Sequence, residues 1–245
     1  MDLNTLTRKE REFIYREQLI LNTARNLLAT DGYQVFSMER IASEIEYSKG
    51  TIYNHFKSKE DILSALCCNS LEALTSLFER AKNHEGSSRE KISALILAYA
   101  LHAKLRPVDV QNMQSIKSQA VREKVSEPLA EKMDVAEQRV IEPAKDIVMY
   151  AIHQGDLDVE SEDTVGEMIT GMWSLGYGTF LLSQTHIDFN NLGLALPEKQ
   201  FLNTAQKLLD GYHWKPLSSN TDLEEYYLNL GKKVFPEEFK TIETM

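Results

Sequence analysis

Between Tyr47 and Lys59 the chain gathers Lys49, Lys57 and Lys59 with Thr51, Tyr53, Asn54 and His55, and carries no carboxylate. That mixture suits a polyanion: Lys, Tyr and Thr grip phosphates, while hydrogen-bonding tips read base edges in a groove. Spacing sorts the side chains by face. On a short helix from about Ser48 to Phe56, Ile52 and Phe56 stand at i, i+4 and must turn to a core. Gly50, Thr51 and Asn54 then point outward, flanked by Lys49 and Tyr53 on one side and His55 on the other. Gly50 adds a place where backbone can approach closely.

Positioning such a face needs a scaffold, and helical periodicity supplies one. A first helix is expected from about Thr7 to Thr30, with Ile20, Ala24, Leu27 and Leu28 on one face and Asp31-Gly32 as its stop. Ser37 is the N-cap of a second, very short helix carrying Met38, Ile41, Ala42 and Ile45. After a turn at Glu46-Tyr47, Ser48 caps the lysine-bearing helix. Ser58 and Asp61 restart the chain in a capping-box-like pair. Two short helices joined by a tight turn, the second polar and basic, form a helix-turn-helix pattern. Further helical stretches are expected at about 89–105, 108–123, 128–154, 161–184, 197–213 and 221–233, with Pro143 kinking or restarting the third of them.

The charge is uneven. The 245 residues carry a formal net charge of −10, yet residues 1–60 hold nine basic and nine acidic side chains and are neutral. Salt screens charges beyond about 8–10 Å, so a locally basic segment of an acidic protein can still dock a polyanion. The longest apolar run, Ala94–Leu101, falls far short of the ~20 residues a membrane span needs. The first residues contain no secretory h-region, and the expected location is cytoplasmic. Adjacent Cys67 and Cys68 are expected to be reduced helix residues.

Residues 37–63 resemble the TetR family of transcriptional regulators. The likeness rests on Ile41-Ala42, Ser48-Lys49-Gly50-Thr51-Ile52-Tyr53, Phe56, Lys59 and Leu63, preceded by Ala24 and Gly32-Tyr33. It covers about the first 65 residues. The resemblance implies an all-α chain: an amino-terminal three-helix helix-turn-helix DNA-binding domain, then a larger helical ligand-binding and dimerisation domain. It further implies a homodimer on a near-palindromic DNA operator, released by a small-molecule effector. By position in the motif, Thr51, Tyr53, Lys59 and Ser37 correspond to backbone-contact sites. Lys49, Gly50, Asn54 and His55 correspond to sites facing the bases or their neighbourhood. The turn departs from the pattern, with Glu46 where a small residue or glycine is usual and Tyr47 where an aliphatic residue is common. Glu46 must then adopt the left-handed conformation or the turn must differ, at a cost of roughly 1 kcal/mol or more.

Domain boundaries are expected at 1–60 for DNA binding, 61–85 for a connecting helix and 86–245 for the larger domain, the last break set by Gly86-Ser87-Ser88. In that larger domain the stretch from Val165 to Ser183 is apolar nearly all round, as expected of a helix buried on both sides. With the helix from Pro197 to Tyr212 it is assigned to a four-helix dimer seam using Met172, Gly176, Phe180, Phe201, Ala205 and Leu208. A large monomer core is the competing reading. Tyr99, His102, Met113, Met149 and Trp173, with Tyr150 and His153, are candidates to line an effector cavity. The aromatic tail 221–245 reads as a docking helix.

No metal site and no cofactor are expected. There is no glycine-rich P-loop before Lys49-Gly50-Thr51, no Gly-x-Ser-x-Gly, no His-Glu-x-x-His and no Gly-x-Gly-x-x-Gly, so an enzyme is not expected. The alternatives are a helical scaffold without DNA binding, motivated by the net charge and Glu46, and an architectural DNA-binding protein without effector control. Arg8, Lys9 and Arg11 interleave with Glu10, Glu12 and Glu17, and are expected to pair along the helix surface.

Overall fold

A computed structural model describes residues 5–116, 119–159, 161–219 and 221–244, the side chains at 34, 112–120 and 162 excepted. Every regular element among the described residues is helical: α1 (Arg8–Thr30), α2 (Gly32–Val35), α3 (Met38–Glu44), α4 (Lys49–His55), α5 (Lys59–Asn83), α6 (Ser88–Leu105), α7 (Pro107–Ile116), α8 (Gln119–Arg122), α9 (Glu127–Gln154), α10 (Glu162–Ser183), α11 (Pro197–Gly211), α12 (Leu223–Val234) and α13 (Pro236–Glu243). Thr7 and Glu10 close a capping box at the start of α1. Within the expected stretch 108–123 the described residues are helical at Pro107–Ile116 and Gln119–Arg122, and of the kink or restart expected at Pro143 the restart does not occur, since α9 runs through it as one helix.

The chain forms two compact units, Met1–Leu71 with Arg106–Glu137, and Glu72–Leu105 with Gln138–Met245. Breaks at residues 60 and 85 do not separate them, because α5 and α9 each run from one unit into the other. Gly86-Ser87-Ser88 is a capped helix start rather than a linker. The Ser87 N–H and Oγ donate to the Glu90 carboxylate at 2.8 and 3.0 Å, and the Glu90 N–H returns to Ser87 Oγ at 3.2 Å. Ser88 is buried and donates to Asp156.

The core of the first unit is the apolar face of α1 (Ile20, Ala24, Leu27, Leu28) meeting Met38, Ile41 and Ala42 of α3, Ile52 of α4, Phe56, and Ile62, Leu63 and Leu66 of α5. Burying each large side chain contributes about 1.5–3 kcal/mol, which stabilises helices too short to persist alone. A buried carboxylate, Asp109 on α7, takes the Arg25 guanidinium of α1 at 2.8 Å and that of Arg106 at 3.2 Å. A second, Asp61, accepts the Lys57 and Ser126 N–H groups at 3.0 and 2.8 Å, fixing both the entry to α5 and the approach to α9.

The second unit is built around α6, whose buried residues are spread round its circumference. Tyr227, Leu230, Val234 and Phe235 put α12 and the start of α13 into the same core, so the aromatic tail is part of the domain. Gly231 admits the Phe239 ring, and Arg80 grips Glu238 with two hydrogen bonds of 2.8 and 2.7 Å. Buried Arg89 ties α6 to α11 through Gln206 and Asp210, and Gln206 in turn donates to Ser93 and Tyr227. Partnering throughout offsets the cost of burying that charge.

Candidate nucleic-acid interface

The two short helices are set by their caps. Ser37 Oγ accepts the Arg40 N–H at 3.2 Å to start α3, and Ser48 Oγ accepts the Thr51 N–H at 3.1 Å to start α4. Between them Glu46 adopts φ 56°, the left-handed conformation the turn demands. Its N–H reaches Ser43 O at 3.4 Å and the Tyr47 N–H reaches Ala42 O at 3.0 Å, the paired bonds of a Schellman ending. A glutamate thus does here what glycine does without steric cost. Beyond the turn, Ile52 and Phe56 are both buried and act as the wedge beneath α4.

With that face anchored, Lys49, Gly50, Tyr53 and Asn54 are exposed, and Thr51 is half-buried with its hydroxyl 2.9 Å from Ser48 Oγ. Lys49 is not idle: its Nζ donates to Glu39 Oε1 of α3 at 3.1 Å. The carboxylate's own backbone N–H, and then that ammonium, hold Glu39 below the usual carboxylate range. Lys59 Nζ sits 4.6 Å above the Tyr33 ring, a cation–π contact that orients the ammonium.

His55 departs from expectation. Its side chain is only 2% exposed, because the end of α4 folds against α1 and the imidazole stacks on Phe13 with centroids 4.1 Å apart. Nδ1 has no hydrogen-bond partner and lies 4.0 Å from Glu17. Burial, then the nearby Arg16 charge, lowers the imidazole pKa. This ring supports α4 from behind and presents nothing to a groove. On α1, Arg8 pairs with Glu12 at 2.9 Å as expected, whereas Arg11 donates to the Leu6 carbonyl.

The sequence profile of the bacterial regulatory proteins, tetR family, matches residues 20–66, the stretch that contains both short helices and the start of α5. Residues 20–66 thus carry a helix-turn-helix segment of the tetR-family kind. A helix-turn-helix-type transcriptional regulator of Staphylococcus aureus is 30% identical over 95 residues, 39% of this chain and 51% of its own length. The fatty acid metabolism regulator protein of Bacillus subtilis is 30% identical over 77 residues, 31% of this chain and 40% of its own. The chain thus spans about half or less of the curated relatives it matches. In solved structures the likeness reaches further along the fold. The TetR-family regulator PfmR of Thermus thermophilus superposes with a TM-score of 0.61 at 19% identity, over 78% of this chain and 97% of that one. A Rhodococcus protein of unknown function gives 0.64 at 20% identity, over 80% and 95%.

Outside the motif that defines the TetR family, the expected site residues scatter. On α6, His102 is buried and Tyr99 is partly buried against the core, whereas Met149 and Trp173 are 55% and 48% exposed. Met113 lies on α7 with its side chain outside the described residues. The expected seam residues lie for the most part against their own unit. Phe201 and Ala205 are buried in their own core, and the Phe180 ring lies 5.4 Å from that of Tyr99. A Cβ on Gly176 would stand 2.7 Å from the Tyr99 ring, so this glycine admits a side chain of its own chain. Met172 packs against the same core and Leu208 is half-buried. The outward stripe of α10 is instead Gly166, Thr170, Trp173, Ser174 and Leu181, with half-buried Tyr177 and Gly178 beside it. Two apolar faces on one helix carry no mark in the sequence of which one its own domain claims.

Proposed function

We propose that the protein is a sequence-specific DNA-binding regulator, a homodimeric repressor that holds a near-palindromic operator and is released from it by a small-molecule effector. One observation carries the DNA reading: Lys49, Gly50, Tyr53 and Asn54 share an exposed face of α4 while Ile52 and Phe56 are buried beneath it. Such a helix can lie in a major groove, with Tyr53, Thr51, Lys59 and Ser37 on phosphates and Lys49, Gly50 and Asn54 towards the bases. The regulators among its relatives support the regulatory role. Apolar side chains on the outward stripe of α10 support self-association, with Trp173, Tyr177 and Leu181 as the seam. Partly buried Tyr99 and buried His102, both on α6, are the effector-side candidates that stay inside the larger unit.

Duplexes selected from a random pool by the full chain provide the test. Binding is expected to weaken with salt at a log–log slope near −0.9 per neutralised phosphate. Tyr53→Phe and Lys59→Ala should weaken all duplexes about equally, whereas Lys49→Ala should change sequence preference. Protection should cover two half-sites about one helical turn apart, roughly 34–36 Å. No retained duplex at low salt would sink the reading.

A further inference from the structure

Beside the exposed face of α4 lies a cleft of about 530 Å³ lined by Arg11, Glu12, Tyr15 and Arg16 of α1, Tyr47 of the turn and Thr51 of α4. Two guanidiniums, two phenols and a hydroxyl face one carboxylate. Glu12 already accepts Arg8 Nε at 2.9 Å and stands 3.5 Å from Arg16, so the cleft keeps a surplus of positive charge. That surplus is felt nearby, since the Arg16 charge adds to burial in depressing the His55 imidazole pKa. Arg11 uses a donor on the Leu6 carbonyl, which fixes the guanidinium and leaves further N–H groups of its fork for an anion.

The two tyrosines fit no packing role. Tyr15 is 68% exposed and Tyr47 39% exposed. After a Schellman ending, the residue at the Tyr47 position ordinarily packs an apolar side chain back onto the helix it follows. This one lines the cleft beside the two guanidiniums instead. The two departures in the turn therefore belong together: left-handed Glu46 sets the direction of the chain, and Tyr47 takes the place it opens.

We propose that this cleft seats one backbone phosphate at the edge of the bound duplex, with Arg11 and Arg16 as its cations and Tyr15 and Tyr47 as hydroxyl donors. The proposal rests on the DNA-binding reading above and adds four contact residues to it. A duplex carries one charge per about 1.7 Å of axis, so a strand whose groove holds α4 brings phosphates past a cleft that shares Thr51 with that helix. The guanidinium fork and phenolic O–H groups match phosphate oxygens, and such contacts set register without reading sequence.

The test uses the full chain and a duplex that the wild-type protein selects from a random pool, with single phosphates replaced by neutral methylphosphonates. In the wild type, one position outside the base-read stretch should cost roughly tenfold in affinity, the size of one charge-assisted contact. In the Arg11→Ala, Arg16→Ala double variant that position should cost nothing further, and the salt slope should be shallower by about 0.9. Base preference should be unchanged, and Tyr47→Phe should give a smaller uniform loss. An unaltered melting temperature confirms that the variants fold, and Arg16→Gln, which removes the charge but keeps the stem, serves if the alanine variant does not. Wild-type binding with the same methylphosphonate profile in wild type and variant overturns this inference alone. Failure of the wild type to retain any duplex at low salt overturns both readings. Inorganic phosphate binding that the double variant abolishes, with duplex affinity untouched, assigns the cleft to a free anion and overturns the duplex contact.

Discussion

Lys49 and Glu39 meet at 3.1 Å between two exposed side chains, so the cation best placed to read bases is held by a carboxylate from the neighbouring helix. An exposed pair of this kind is screened by solvent and contributes little. The groove contact proposed for Lys49 must first overcome that pairing, and Glu39 would add a negative charge beside the proposed contact. Glu39→Gln is therefore expected to raise operator affinity by roughly two- to fivefold at low salt, an effect that fades as salt screens the pair. Fluorescence anisotropy across a salt series reads both, and an affinity unchanged at low salt would mean that Lys49 keeps its partner on DNA. Residue by residue, the caps and wedge are legible in the sequence because Ser37, Ser48, Ile52 and Phe56 act through neighbours three or four positions away. His55 is not, since its orientation is decided by Phe13 and Glu17 on α1, which no local spacing reports.

At the scale of elements, α4 spans only Lys49–His55, too short to hold itself together in water. It persists through the Ser48 cap, the buried wedge and the turn that delivers it. The turn is where the sequence announces strain, and Glu46 at φ 56° carries it. Glycine adopts that conformation freely but loses more entropy on folding, so Glu46→Gly should give a net gain of about 0.5–1 kcal/mol. For a chain of this size that is a rise of about 1–3 °C in melting temperature. Glu46→Val should lower it, because a β-branched side chain fits the left-handed region worst. Calorimetry of the wild type and the two variants decides the matter: equal midpoints for the wild type and Glu46→Gly would show the turn to be unstrained. Element boundaries follow the caps and prolines closely, yet α2 and α13 leave no clear trace in the sequence. Both are short, with few periodic positions to register a helix.

For the whole molecule, the sequence discloses that α10 is apolar on two faces and leaves open which of them belongs to its own core. Packing distinguishes them: Gly176 meets Tyr99 of the same chain, while Gly178 has open space before it. Trp173 and Leu181, exposed where Gly176 is buried, are therefore the residues we propose for contact with a second copy. Two kinds of substitution should then behave oppositely. Trp173→Glu or Leu181→Glu places a carboxylate on the outward stripe, and should shift sedimentation towards a monomer while leaving the melting of the protomer core nearly intact. Operator affinity should fall with it, because a monomer holds one half-site in place of two. Gly176→Ala drives a methyl group to within 2.7 Å of the Tyr99 ring, and should cost about 1–3 kcal/mol of stability by overpacking. Its folded fraction should keep the wild-type stoichiometry, since the strain is internal. Were Gly176→Ala to dissociate the protein while both glutamate variants sedimented as wild type, the seam would lie on the Gly176 face and the outward stripe would belong to solvent.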